Sequence, residues 1–321
     1  KQYESYFGHF NPKTRILVVK EGRRKELCAE YRGIYHMLKE AHLLFTVVKL
    51  NALESHIKEF DEYDFILLPD VHQVSEPVLD ALKQTKASVI ATGLALEEQA
   101  DVLQALFGIS LKEKVTDVRG TYLKTDPADV FSDFAEKKKY WVFLDGPYCG
   151  MELREETRGL LPKVEKARFG PPERCYGHEE TDEPMMAEFR NKNLYVPWNI
   201  GTLYYKLGYD EFKRLLLDAM SSIRALPRLF ETNAPEMVEI FFAECEPSVY
   251  LLQMINMTGW NGMTFFEPWA LDGMEVRFTG ISPVSAEVMT EEGLKPVPLE
   301  NGCLKCPMKK GQLYQAFKIQ V

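Results

Sequence analysis

Apolar residues in the first third of the chain follow two alternating rhythms. Short unbroken runs, "TRILVVK" (Thr14 to Lys20), "LLFTVVKL", "FILLPD" and "ASVIATG", are rich in β-branched residues, as strands buried on both faces of a parallel sheet are. Between the first two, Leu27, Tyr31, Ile34, Tyr35 and Leu38 recur at three- and four-residue steps, which predicts a helix over 27–41 with one buried face. A second helix is predicted to begin at Ser75-Glu76-Pro77, with Ser75 as N-cap and Pro77 in the first turn. Strands and helices alternating at this length predict a parallel, doubly wound sheet.

Beyond Ile109 the rhythm loosens. "VRGTYLKT" and "KKYWVFLDG" read as strands, and "ARFGPPERCYGHEETDEP" (Ala167 to Pro184) reads as a long loop because two prolines and many polar residues break any period. "MMAEFRNKNLYVPWNIG" predicts a hairpin turning at Asn191-Lys192-Asn193, and a helix follows over 209–225 with Phe212, Leu215, Leu216, Ala219 and Ile223 inside. After "LPRLFETNAPE" the pattern becomes strands only: "MVEIFFAE", "VYLLQMIN", "MEVRFTG", "SAEVMT" and "LYQAFKIQV", spaced by Gly, Pro and Asn. That spacing predicts a small antiparallel β-sandwich. Two domains are expected, an α/β domain over 1–230 and a β-sandwich over 231–321.

Composition narrows the classes of partner. With 45% hydrophobic and 27% charged residues the chain has enough apolar material for a sizeable core. A net charge of −9, with no basic block longer than "GRRK" or "EKKKY", argues against nucleic acid and against an anionic membrane surface. No stretch is long and apolar enough to span a bilayer, and the start "KQYESYFGHF" reads as a cut inside a longer protein. The six scattered cysteines fit a reduced, cytoplasmic setting.

Several strings carry a family likeness. "CAEYRGIYHMLKEAHLLFTVVKL", "YDFILLPDVHQVSEPVLDAL", "GPPERCYGHEETDEP", "LYVPWNIGTLYYKLG" and "NAPEMVEI" with "LLQMINMTG", in this order, resemble the downstream half of glycoside hydrolases related to the family 42 β-galactosidases. The resemblance implies a flavodoxin-like, class I glutamine amidotransferase-like wound sheet (the β-galactosidase trimerisation domain) followed by a β-sandwich. It also implies a homo-oligomer. The partner it implies is the enzyme's own catalytic TIM barrel, which these residues do not include, so the implied role is scaffolding an assembly and shaping the rim of its active site.

Candidate chemistry is sparse. In an amidotransferase-like domain the turn after "ASVIATG" would hold a nucleophile, yet it offers Thr92, Gly93, Leu94 and Ala95, with Ser88 inside the strand and Cys28 far from the turn. No catalytic residue is assigned on this reading. The acidic stretch offers Glu173, His178, Glu179, Glu180, Asp182 and Glu183, a set that could hold a divalent metal or act as acid and base, or simply be solvated. Trp198 and Asn199 could meet a sugar ring, and Trp260 or Trp269 could form a carbohydrate platform. Glu173, His178, Asp182, Trp198 and Asn199 are therefore the candidate ligand or rim contacts. "CLKC" (Cys303 to Cys306) is one pair where a zinc ribbon needs two, and no Gly-rich phosphate loop occurs, so neither metal nor cofactor is expected. A hydrolase acting through Glu173–Asp182 and a carbohydrate-binding module remain the alternatives to a scaffold.

Overall fold

The computed structural model describes residues 3–8, 11–21, 28–118, 120–125, 130–131, 141–167 and 177–321 of the 321-residue chain. It divides into two compact units. One comprises Ile16–His36 and Val47–Leu226; the other comprises Lys1–Arg15, Met37–Thr46 and Pro227–Val321.

The chain opens with α1 (Glu4–Gly8) and β1 (Asn11–Pro12), then runs β2 (Ile16–Lys20), α2 (Ala29–Glu40), β3 (Thr46–Lys49), β4 (Phe65–Pro69), α3 (Glu76–Gln84), β5 (Ser88–Thr92) and α4 (Ala100–Phe107). Seven strands follow: β6 (Ile109–Val115), β7 (Thr121–Lys124), β8 (Trp141–Leu144), β9 (Tyr148–Leu153), β10 (Thr157–Val164), β11 (Glu180–Phe189) and β12 (Asn193–Val196). Helices α5 (Ile200–Leu207) and α6 (Asp210–Ile223) close this part.

Nine strands form one sheet in the order β3-β2-β4-β5-β12-β11-β10-β7-β8. The apolar runs explain its centre: β4 and β5 are buried at every residue, which is what a strand covered on both faces requires. Strands β2, β4, β5 and β12 pair in parallel. From β12 outward, however, β11, β10, β7 and β8 pair antiparallel. The sheet is thus mixed: β2, β4 and β5 are parallel, as their alternation with helices predicted, and the hairpin predicted at Asn191-Lys192-Asn193, which turns at 190–192, begins the antiparallel part. The change of direction is local chemistry: Arg190 and Asn191 both take left-handed backbone, and the Lys192 N–H donates to the Phe189 carbonyl, making a tight turn that a parallel crossover could not use. The core beneath gathers Ile66, Leu68, Val89, Ala91, Leu103, Phe107 and Tyr195. Leu53 and Phe60, from the 3₁₀ helix Leu50–Glu62, extend it.

Helix starts follow the sequence closely but not in every bond. Ser75 stands at the N-cap of α3 as predicted, yet its hydroxyl donates to Glu54 Oε2 at 2.9 Å instead of accepting from the helix.

The other unit is built from β13 (Phe230–Thr232), β14 (Val238–Glu246), β15 (Val249–Asn256), β16 (Glu275–Phe278), β17 (Ser285–Thr290), β18 (Gly293–Val297), β19 (Leu299–Glu300), β20 (Cys303–Lys305) and β21 (Tyr314–Gln320). With β1 they form two sheets, β1-β14-β15-β21-β17-β18 and β13-β16-β20-β19, in which all neighbouring strands run antiparallel. Inward residues of both sheets, among them Phe242, Leu252, Phe317, Val276 and Leu304, share one core. Cys306 belongs to that core; its thiol donates to the Met274 carbonyl, and burial pushes its pKa up to about 12, so it behaves as a small apolar side chain.

Candidate functional site

The carboxyl ends of the parallel strands bring Asp70 and the buried Thr92 together with the buried Glu30 of α2. In open wound sheets this edge is where ligands and catalytic groups collect. Strand β5 ends at Thr92, and Gly93 follows at φ 71°. Asp70, at the end of β4, also takes a left-handed backbone, at φ 53°. Its Oδ1 accepts from the Leu94 N–H at 2.9 Å and its own N–H donates to the Thr92 carbonyl, so the two strand ends hold each other.

The hydroxyl at this elbow points inward. Thr92 is buried and donates to Glu30 Oε1 at 2.6 Å. The same carboxyl accepts from the Gly201 N–H at 3.0 Å and the Thr202 N–H at 2.7 Å. Asn199, the residue at the N-cap of α5, makes no side-chain cap bond, and Glu30 from α2 serves that helix end in its place. Glu30 is 2% exposed, and burial pushes its pKa up to about 7 against those three donors, with the charge of Asp70 adding to the rise. A nucleophile needs an exposed, deprotonatable group at the apex. Here Gly93 and Leu94 stand there, and the nearest hydroxyl is committed to the interior.

Above the elbow lies a cavity of about 630 Å³ whose lining includes Glu30, Asp70, Asp145, Asn199, Thr202 and Lys206. Beside it, His72 Nδ1 sits 2.8 Å from Glu97 Oε1, and the His72 N–H donates to Glu21 Oε2. Burial works against a charged His72, but the Glu97 bond and the Asp70 and Glu21 carboxylates outweigh it and raise the pKa. Burial likewise raises Glu21.

The residues that the sequence pointed to are dispersed. Glu173 lies outside the described residues. His178 Nδ1 is 3.0 Å from the Glu165 carbonyl, and its ring meets Tyr122 and Trp141 edge-on, among the antiparallel strands. The acidic stretch is not a loop from Glu180 onward but strand β11, which places successive carboxylates on opposite faces. Glu180 pairs with Lys124 and accepts from the Trp141 indole; Glu183 and Glu165 both pair with Lys163, whose ammonium they hold charged although it is buried. Asp182 is exposed on the same strand. Trp198 is buried, donates its indole N–H to the Met185 carbonyl and packs edge-on against Phe212, so it presents no stacking face. Of the four described candidates, Asn199 alone lines the cavity. Glu30, Asp70 and Asp145 were not singled out from the sequence. The available signal was the strand ending Pro69-Asp70, a polar residue at the end of a fully buried run. Among the described residues, no group of three His, Cys, Asp or Glu is arranged to hold a metal ion.

No family model matches the sequence, and no curated protein matches it. Solved structures do match the fold. The chain superposes with a TM-score of 0.74 on α-L-fucosidase isoenzyme 2 from Paenibacillus thiaminolyticus, at 15% identity, covering 99% of this chain and 50% of that one. It superposes at 0.53 on a β-galactosidase from the psychrophilic Marinomonas ef1, at 11% identity, covering 97% of this chain and 38% of that one. The chain therefore shares the fold of parts of glycoside hydrolases and spans half or less of the length of each. No helix among the described residues is long and apolar enough to cross a membrane.

Proposed function

We propose that this chain is the non-catalytic accessory and oligomerisation region of a glycoside hydrolase: an amidotransferase-like wound domain without its nucleophile, followed by a β-sandwich. The observation that carries the reading is the elbow, where glycine and leucine occupy the apex and Thr92 is tied to Glu30. The likeness of the whole chain to half of a fucosidase chain supports it.

The assembly face in this reading is the aromatic loop of the sandwich unit. Trp260, Phe265, Phe266 and Trp269 are exposed there, with Met263 at 90%. Exposed apolar side chains this concentrated mark an interaction surface, and Trp and Phe are the residues that anchor one. The loop is held in shape without a partner. Asn261 Oδ1 accepts from the Met263 and Thr264 N–H groups, the Phe266 N–H donates to Gly259, and fully buried Asn256 donates to the Trp269 carbonyl. A preformed aromatic surface loses little entropy on docking.

Light scattering at micromolar concentration is expected to give a mass above one subunit, and Phe266→Glu with Trp269→Ala is expected to weaken association at least ~30-fold, from about 2 kcal/mol at an anchor residue. A single-subunit mass for the unaltered chain would remove the assembly reading. Nitrophenyl α-L-fucoside and β-D-galactoside are expected to be hydrolysed no faster by the chain than by buffer. Turnover that disappears in His178→Ala would instead favour a hydrolase acting through the acidic stretch.

A further inference from the structure

The cavity above the elbow is lined in part by polar side chains that folding leaves unused, beside the apolar Pro147, Leu203 and Leu207. Among the described residues, Asp145, Asn199, Thr202 and Lys206 make no side-chain hydrogen bond or ion pair, yet all four line one concavity with Asp70 and Glu30. Asp145 and Lys206 are exposed, so the mouth is open, while Thr202 and Asn199 are half-buried further in.

Two devices hold the walls in register. The first is Gly93. A Cβ there would lie 2.5 Å from Asp70 Oδ1 and 2.6 Å from Asn199 Nδ2, so the carboxylate and the amide converge over a position that only glycine leaves open, and φ 71° suits glycine as well. The second is the Asp145-Gly146-Pro147 turn. Tyr148 bridges to Trp198, the Cys149 N–H donates to the Pro197 carbonyl at 2.9 Å, and Gly146 sits so close to Leu203 that a Cβ would approach its side chain to 3.0 Å. The turn carrying Asp145 is thereby fastened to the segment carrying Asn199, Thr202 and Lys206.

We infer that this cavity is a binding site for a neutral polyhydroxylated ligand the size of a monosaccharide. The chemistry of the lining selects it. Three carboxyl groups against one ammonium disfavour phosphates and carboxylates. Each ligand hydroxyl both donates and accepts, and the lining offers acceptors (Asp70, Asp145), groups that do both (Asn199, Thr202) and a donor (Lys206). The volume of about 630 Å³ lies within the roughly 300–1,000 Å³ typical of small-molecule sites. The inference does not rest on the accessory role: a sugar site here would be a binding site whether or not the chain assembles.

The test is ligand-observed NMR and titration calorimetry on the full chain with L-fucose, D-galactose, D-glucose and myo-inositol, with glucose 6-phosphate as the anionic arm. At least one neutral polyol is expected to bind with a Kd of about 1 mM, as open polar sites do. Asp145→Ala and Asn199→Ala are each expected to weaken it ~10-fold through lost hydrogen bonds. Asp145 is exposed, so its variant keeps the fold, and Glu291→Ala, at an exposed position of the other unit, is expected to leave binding unchanged. Three outcomes overturn the inference: no neutral polyol bound at about 50 mM, far above any useful affinity; preference for the sugar phosphate; or binding indifferent to both cavity variants. A subunit mass measured on the same samples keeps this result separate from the fate of the assembly proposal.

Discussion

Gly33→Ala is expected to destabilise the α/β unit severely, although in an exposed helix the same change would stabilise by up to ~1 kcal/mol through propensity. Helices α2 and α5 touch through bare backbone at this point. A Cβ on Gly33 would fall 1.7 Å from the Gly201 carbonyl oxygen, and one on Gly201 would fall 2.3 Å from the Glu30 carbonyl oxygen. Neither obstacle is the movable end of a side chain. The helices would have to part by more than an ångström, which would also pull Glu30 away from the α5 amides it serves. Overpacking alone costs roughly 1–3 kcal/mol, and the lost buried hydrogen bonds bring the total to about 4 kcal/mol or more, in the range reserved for gross core damage. Urea denaturation followed by circular dichroism measures it. Gly208→Ala is the control: its φ of 67° carries strain, but nothing lies within 4 Å, so a loss of only ~1 kcal/mol is expected. A Gly33→Ala midpoint equal to the parent's would show that the two helices do not meet as described.

The second large effect is a dependence of stability on pH that Glu30→Gln removes. The folded-state pKa of Glu30 is about 7, raised by burial above an ordinary value of 4.5. As pH rises from 4.5 toward 7, the unfolded chain releases this proton while the folded one keeps it, so the folded state binds more protons and stability falls across that window. Below 4.5 the contribution of Glu30 is at its highest, and above 7 it stays at its lower level. The difference amounts to about 3 kcal/mol for a group this deeply buried. Gln cannot ionise, so the parent should exceed Glu30→Gln in stability most at pH 4.5, with the gap narrowing by about that amount by pH 8. Gln also presents an NH₂ group where Oε1 and Oε2 now accept three donors, so the variant should be weaker than the parent at acid pH. Parallel pH slopes in parent and variant would mean that Glu30 titrates as an exposed carboxylate.

Glu30 and Gly33 stand one helical turn apart on α2 and act on the same neighbour, the start of α5. A buried carboxyl at a helix N-terminus and a glycine at a helix crossing are common parts taken separately. Together they lock the floor of the cavity to which Asp70 and Asn199 contribute walls, so damage to either residue is also expected to disturb ligand binding there.

The sequence by itself determined many of the elements, though not the 3₁₀ helix Leu50–Glu62, strands β9 and β10, or the start of β11 at 180–184. Runs such as "FILLPD" and "ASVIATG" are buried at every residue of β4 and β5, and the alternation in "MEVRFTG" matches the inward positions Val276 and Phe278 of β16, because burial of a strand or helix face is written in the local period of apolar residues. The hairpin that turns the sheet antiparallel was legible too, but the strand order, the site and the helix crossing were decided only in three dimensions. Thr92 lies 62 positions from Glu30, and Gly201 lies 171 positions from it. Along the sequence Glu30 is one more charged residue on a helix, and Gly33 is a weak helix former. The acidic stretch reads as a solvated loop because charge usually marks surface, but from Glu180 onward it pairs with β10 and β12, and Lys163 on β10 and Lys124 on β7 meet its carboxylates. Local periodicity fixes which face of an element is apolar. Which distant backbone or carboxyl that face will meet depends on how the elements pack, and no window of sequence contains both partners.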